Sequence, residues 1–181
     1  MNLLVLFDLC FGPFDLESAR CAAGAGPFFL NAMTDFSPPD PRLRHFPGHL
    51  FRRLHQIAVA KFTEEMDGFG LTPLQWAALD AIQRKPGVDQ SALSRDIALD
   101  TSTVAGVIYR LEGRGLVERR ASPSDRRLRI LYLTEDGQRL LEQATPLVVD
   151  MQDWLLQPLS PAERPQFMAM MMKIVHRSAA D

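Results

Sequence analysis

The chain of 181 residues has only two cysteines, Cys10 and Cys21. Both lie within the first 33 residues, which excludes a disulfide framework or a cysteine-built metal site in the body of the protein. Thiol-based sensing is likewise excluded for residues 33–181. Long apolar runs are missing too: the most lipid-like stretch, Leu3 to Phe7, stops at Asp8, far short of the roughly 20 residues that a membrane-spanning helix needs. Arg20 is the first cationic side chain, so the basic start of a secretory signal is lacking. A cytoplasmic location is expected. No G-x-S-x-G, no phosphate-binding glycine loop and no metal-binding histidine set occurs, so the chain does not read as an enzyme and no cofactor is implied. His45 and His49 lie four apart, but Pro47 places His45 ahead of regular helix and no acid completes a ligand set.

From Met1 to about Asp40, glycine and proline interrupt every apolar run before it reaches helical length. Residues 1–40 are therefore expected to be a disordered or non-native extension, with Met33 as the natural start. Clean periodicity follows. A helix is predicted from Pro47 to about Met66, with Leu50, Leu54, Ile57, Ala58 and Phe62 on a face to be buried. His49, Arg52, Arg53 and Gln56 fall together beside that face. The glycines of 68–70 end it, and Thr72-Pro73-Leu74-Gln75 reads as a capping box for a helix reaching about Lys85.

Two short helices come next, from Asp89 and from Thr101, joined tightly at Leu99-Asp100. In the second, Val104, Val107, Ile108 and Leu111 form a core stripe, leaving Ser102, Ala105, Gly106, Tyr109 and Gly113 outward. Ser102 and Thr103 suit either capping or base contact. "LVERR" and "RLRILYLT" read as two strands around a turn at Ser122 to Asp125. Thr134 then caps a long helix in which Pro146 is expected to make a kink. Ser160-Pro161-Ala162-Glu163 reads as a capping box for a last helix carrying Phe167, Met168, Met171, Met172 and Val175.

Charge singles out the turn between the strands. From Arg119 to Arg129 there are five arginines and one acid, Asp125, in a chain whose net charge is −2. Two short helices followed by a cationic hairpin make the layout of a winged helix-turn-helix. Small hydrogen-bonding residues such as Ser102 and Thr103 allow a helix to approach base edges, and arginines on a narrow hairpin reach phosphates or a minor groove. The fold class predicted is mainly α with a small β-hairpin wing (α+β), and the partner predicted is double-stranded DNA.

The stretch "STVAGVIYRLEGRGLVERRASPSDRRLRILYLTEDG", residues 102–137, resembles the signature region of the MarR family of bacterial transcriptional regulators, with its D-x-R wing and L-T-x-x-G exit. The resemblance implies a winged unit at 71–134 and a helical dimerisation region at 45–70 and 135–178. It implies a homodimer that meets a pseudo-palindromic operator, with half-sites about 34 Å apart. Asp125 and Arg127 match the family's wing pair, and Ser102, Thr103 and Arg110 match positions on its recognition helix. Gly106 on the outward face, with Arg126 and Arg129 on the wing, completes the candidate DNA-binding set. Ala105-Gly106 and Tyr109 depart from the polar, basic or acidic residues usual there, which shifts readout towards wing and backbone contacts.

Such regulators commonly release DNA when a small molecule binds. His49, Arg53 and Gln56, with Trp76 as an aromatic wall, are the candidate ligand-binding residues, although an exposed polar face fits the first three equally. Guanidinium geometry suits a carboxylate, so the expected effector is a small aromatic or heteroaromatic acid of the benzoate, hydroxycinnamate or nicotinate kind. The rival reading is a winged-helix protein-protein interaction module without an effector. Intact-mass measurement on the native protein is expected to return a chain starting at Met33, and a mass that includes Met1 to Ala32 overturns that start.

Overall fold

A computed structural model describes residues 42–43, 45–123 and 128–177. The first helix, α1 (Pro47–Met66), has proline in its first turn and runs into a short 3-10 turn, Asp67–Phe69. Gly70 then takes a left-handed conformation at φ 57°, which only glycine adopts without cost. Helix α2 (Pro73–Arg84) opens with the predicted capping box: Thr72 Oγ1 accepts from the Gln75 amide at 3.2 Å, and Gln75 Oε1 accepts from the Thr72 amide at 3.0 Å.

A two-residue strand, β1 (Val88–Asp89), follows, and Asp89 also caps α3 (Gln90–Asp96) by accepting from the Ala92 amide at 2.9 Å. Helix α4 (Thr101–Gly113) leads into β2 (Val117–Ala121) and β3 (Arg129–Leu133). The sheet is antiparallel in the order β1-β3-β2, with Val88 opposite Leu131 and Arg119 opposite Leu131 on the other side. The predicted hairpin is thus the larger part of a three-stranded sheet. Strand β1 is too short for an alternating pattern to reveal.

Helices α3 and α4 both end in paired carbonyl-capping bonds. Leu116 N–H donates to Leu111 O at 3.0 Å and Gly115 N–H to Glu112 O at 2.8 Å, with Gly115 left-handed at φ 70°. The same pattern closes α3, where Leu99 N–H donates to Ser94 O at 3.0 Å, but the left-handed residue is Ala98 at φ 55°. That turn sets the angle between the two helices at a local cost of about 1–2 kcal/mol.

The core lies where α2, α3, α4 and β3 meet the C-terminal part of α1 and helix α5 (Glu135–Leu155). Leu79, Ile82, Leu93, Val104, Ile108, Leu111 and Leu131 are fully buried there, each stabilising the fold by about 1.5–3 kcal/mol. Val104, Ile108 and Leu111 are the stripe predicted for α4. Helix α5 runs unbroken through Pro146, and Leu141, Ala144, Val148 and Met151 are its buried side. Thr145 Oγ1 donates to Leu141 O at 2.7 Å one turn earlier.

Two expectations need correction. The α1 face is buried only in its second half: Ala58, Phe62 and Met66 are buried, whereas Leu50 and Leu54 are 42% and 38% exposed. Among the described residues neither is fully covered. At 160–163 the box is half made. Glu163 Oε2 accepts from both the amide and the hydroxyl of Ser160, at 2.8 and 2.6 Å. The serine therefore donates to the glutamate instead of capping its amide, and α6 begins at Glu163 and runs to Arg177. The described side chains of α6 are all half-buried or exposed.

Helix α5 starts hard against the corner between α4 and β2. Thr134 caps it, accepting from the Gly137 amide at 3.0 Å, while its hydroxyl donates to Gly115 O at 2.7 Å and its amide to Leu116 O at 3.1 Å. A Cβ on Gly137 would sit 2.1 Å from Leu116 O. The glycine of the L-T-x-x-G exit is therefore needed for close approach, not for flexibility. Gly137→Ala is expected to lower unfolding free energy by about 2–3 kcal/mol in denaturant titration, whereas Gly106→Ala, with nothing within 4 Å of the added carbon, raises it by up to about 1 kcal/mol. Equal effects of the two substitutions would contradict this account.

Candidate nucleic-acid interface and effector region

The N-terminus of α4 is organised by a residue that sequence reasoning passed over. Asp100, and not Ser102 or Thr103, is the cap: its Oδ1 accepts from the Thr103 amide at 2.9 Å. The Ser102 hydroxyl also donates to Oδ1, and Thr103 Oγ1 donates to Oδ2 at 2.5 Å. These donors, Ser102 Oγ foremost and then Thr103, hold the Asp100 carboxyl well below the usual carboxylate range. Ser102 is exposed and Thr103 half-buried. The available signal was the D-x-S/T pattern at the helix start, since aspartate is as strong a cap as serine.

Along the outward face of α4, Ala105 and Gly106 are half-exposed and Tyr109 is 76% exposed. Arg110 is exposed, and among the described residues it makes no ion pair. The structure thus brings Ser102, Thr103, Gly106 and Arg110 onto one accessible helix, as the periodicity requires.

On the wing, the arginines divide into two groups. Arg119 Nε pairs with Glu112 Oε2 of α4 at 2.8 Å. Arg120 pairs with Glu118, and its guanidinium lies 4.7 Å from the Tyr132 ring centroid. Both cations are therefore engaged within the chain. Arg129 is exposed at the start of β3. Asp125, Arg126 and Arg127 lie outside the described residues.

Arg114, just past the end of α4, ties the winged unit to the first helix. Its Nη1 donates to Gly70 O at 2.6 Å and its Nη2 to Phe69 O at 2.8 Å. A planar fork that reaches two consecutive carbonyls fixes orientation as well as distance.

Of the candidate effector residues, His49 and Gln56 lie together on α1, with Arg52 between them. Arg52 Nη1 donates to Gln56 Oε1 at 3.0 Å and Nη2 approaches His49 Nδ1 at 3.4 Å. His49 Nε2 is buried without a partner. Arg53 is half-buried on the same helix. Trp76 belongs to the main core on α2, and its Nε1 is also buried without a partner. Among the described residues its indole nitrogen makes no hydrogen bond to the α1 group. A separate open cleft of about 310 Å³ lies between Asp80 and Gln83 of α2 and residues Gln138 to Pro146 of α5. None of the candidate effector residues lines it.

The model of the MarR family matches residues 71–128, which span α2, the paired short helices and β2, and stop just before β3. Transcriptional regulator HosA of Escherichia coli O111:H- is 34% identical over 134 residues, 74% of this chain and 98% of HosA. The chain belongs to the MarR family. Solved structures of similar proteins include BpsR of Bordetella bronchiseptica, whose DNA binding is regulated by 6-hydroxynicotinic acid. It is 32% identical, covers 72% of this chain and 93% of BpsR, and has a TM-score of 0.69. The transcriptional repressor CouR, solved bound to a 23-mer DNA duplex, is 30% identical with coverage of 74% and 95% and a TM-score of 0.69. This MarR-family chain is a DNA-binding transcriptional regulator with a winged-helix fold. Among its described residues no helix is long and apolar enough to cross a membrane.

Arg114→Ala is expected to cost this MarR-family protein about 1 kcal/mol in denaturant unfolding, with Arg114→Lys recovering less than half, because an ammonium cannot hold both carbonyls in plane. Full recovery by lysine would show that charge alone matters at the joint.

Proposed function

We propose that this regulator is a repressor that binds a pseudo-palindromic operator as a homodimer and releases it on binding a small aromatic or heteroaromatic acid. The observation that carries the DNA side is the accessible N-terminal turn of α4, with Ser102 and Thr103, standing beside an arginine-bearing wing. Ser102, Thr103, Gly106 and Arg110 take the major groove. Arg126, Arg127 and Arg129 meet phosphates or the minor groove, with Asp125 orienting Arg127. Arg119 and Arg120 contribute little, because Glu112 and Glu118 already neutralise them.

The dimer reading is supported by apolar side chains that a single chain leaves uncovered on its three long helices. Leu50 and Leu54 of α1, Val149 and Trp154 of α5, and Met170 and Ile174 of α6 are each between 38% and 57% exposed. A 15-residue helix with so little covered surface is marginal by itself. A second copy supplies the missing face.

The effector reading rests on two buried ring nitrogens without partners among the described residues, His49 Nε2 and the donor Trp76 Nε1. A buried unpaired donor costs about 1–3 kcal/mol, which a ligand carboxylate or ring oxygen offsets. Arg53 and Gln56 complete the polar set, and the regulation of BpsR by 6-hydroxynicotinic acid points to the same ligand class. Tyr109, a 76% exposed aromatic on the outward side of α4, favours the second reading, a protein-protein module without an effector.

Salt dependence of binding to the gene's own upstream duplex decides between them. Arg127→Ala or Arg129→Ala is expected to lower the slope of log affinity against log salt by about 1, and Arg120→Ala to leave it unchanged. Titrating benzoate, hydroxycinnamate and nicotinate-type acids is expected to weaken operator binding. Binding without salt dependence would favour the protein-protein module, and no response to any of the acids would remove the effector class.

A further inference from the structure

A hydroxyl has one proton to donate and two lone pairs with which to accept. At the start of α4 both protons are already directed inward: Ser102 Oγ and Thr103 Oγ1 each donate to the Asp100 carboxylate. The Asp100 carboxylate, ionised, can only accept, so neither hydroxyl can receive a proton from it. It stays ionised throughout the physiological range, since its three donors stabilise the charge. What the two side chains offer outward is therefore lone pairs alone.

We propose that Asp100 is a positioning residue that turns Ser102 and Thr103 into obligate acceptors, so that the helix selects base edges presenting an amino group. This rests on the reading that these two residues face the major groove. There, adenine N6 and cytosine N4 are donors, while guanine N7 and O6 and thymine O4 are acceptors. Adenine or cytosine is accordingly preferred on the strand that faces the start of α4. Guanine is disfavoured twice, because its acceptors meet the hydroxyl lone pairs and the nearby carboxylate. Next to these two residues Ala105 and Gly106 have no polar side-chain atom, so the donors of this face, Tyr109 and Arg110, stand further along the helix.

The substitution that separates this role from plain helix capping is Asp100→Asn. Asparagine is an equally good cap, and its Oδ1 can keep the Thr103 amide bond. Its Nδ2 group, however, donates to Thr103 Oγ1 instead of accepting from it, which frees the threonine proton for the DNA. The full-length protein and the variant are each used to select duplexes from a randomised pool at fixed salt. The wild type is expected to enrich adenine or cytosine at one position per half-site, by about 2- to 10-fold. The variant is expected to move that position towards guanine or thymine, with thermal unfolding unchanged. Thr103→Val should remove the part of the preference that responds to Asp100→Asn, so that the two backgrounds select the same bases, leaving only the acceptor at Ser102. Identical base preferences in wild type and Asp100→Asn would overturn the inference while leaving the regulator reading intact. If the wild type selects no duplex at all, the regulator reading fails and the inference with it.

Discussion

Everything in this molecule depends on how closely the start of α5 approaches the corner where α4 turns into β2. Leu116 O accepts from the Thr134 amide, Gly115 O accepts from the Thr134 hydroxyl, and Thr134 in turn caps the Gly137 amide. Three backbone segments are thereby locked within one hydrogen-bond length of one another, and Gly137 is the residue that leaves room for it. The recognition helix, the wing and the long helix of the other region all radiate from this point. Their relative directions follow from short, directional bonds more than from the bulk of the core.

A second tie starts one residue before the first, where Arg114 holds the carbonyls of Phe69 and Gly70 that follow α1. The same corner of the winged unit is therefore bonded both to the start of α5 and to the turn after α1. The His49, Arg52 and Gln56 row lies on the helix that leads into that joint, and the paired Arg114 bonds fix its orientation.

Much of this was legible in the sequence where the signal is local. Thr72 with Gln75, Asp89 and Thr134 start helices where their side chains say they should, because capping needs only residues within one turn. The stripe of Val104, Ile108 and Leu111 is the inner side of α4 for the same reason. Legibility fails where the deciding partner is distant or ambiguous. Strand β1 exists only because Val88 and Asp89 lie beside β3. Leu50 and Leu54 look like core by period and are exposed in one chain, since periodicity reports that a face is apolar and not what covers it. Asp100 was obscured by two hydroxyl residues that could have capped in its place, and Ser160 by a glutamate that draws its proton. The wing arginines read as one cationic block, yet Glu112 and Glu118 withdraw two of them, which a tally of charge along the chain does not reveal. The tip itself, Asp125 to Arg127, is outside the described residues.

The left-handed alanine at the end of α3 has a further meaning. Ala98 occupies a conformation that its own side chain disfavours, held there by the Leu99 to Ser94 bond and by the burial of Leu93 and Ile97 in the helix turn before it. The bend between the paired helices is thus imposed from outside instead of chosen locally, and an isolated peptide covering 89–113 should prefer to straighten or fray. The posture of the reading head belongs to the whole body, and it appears only once that body has assembled around it.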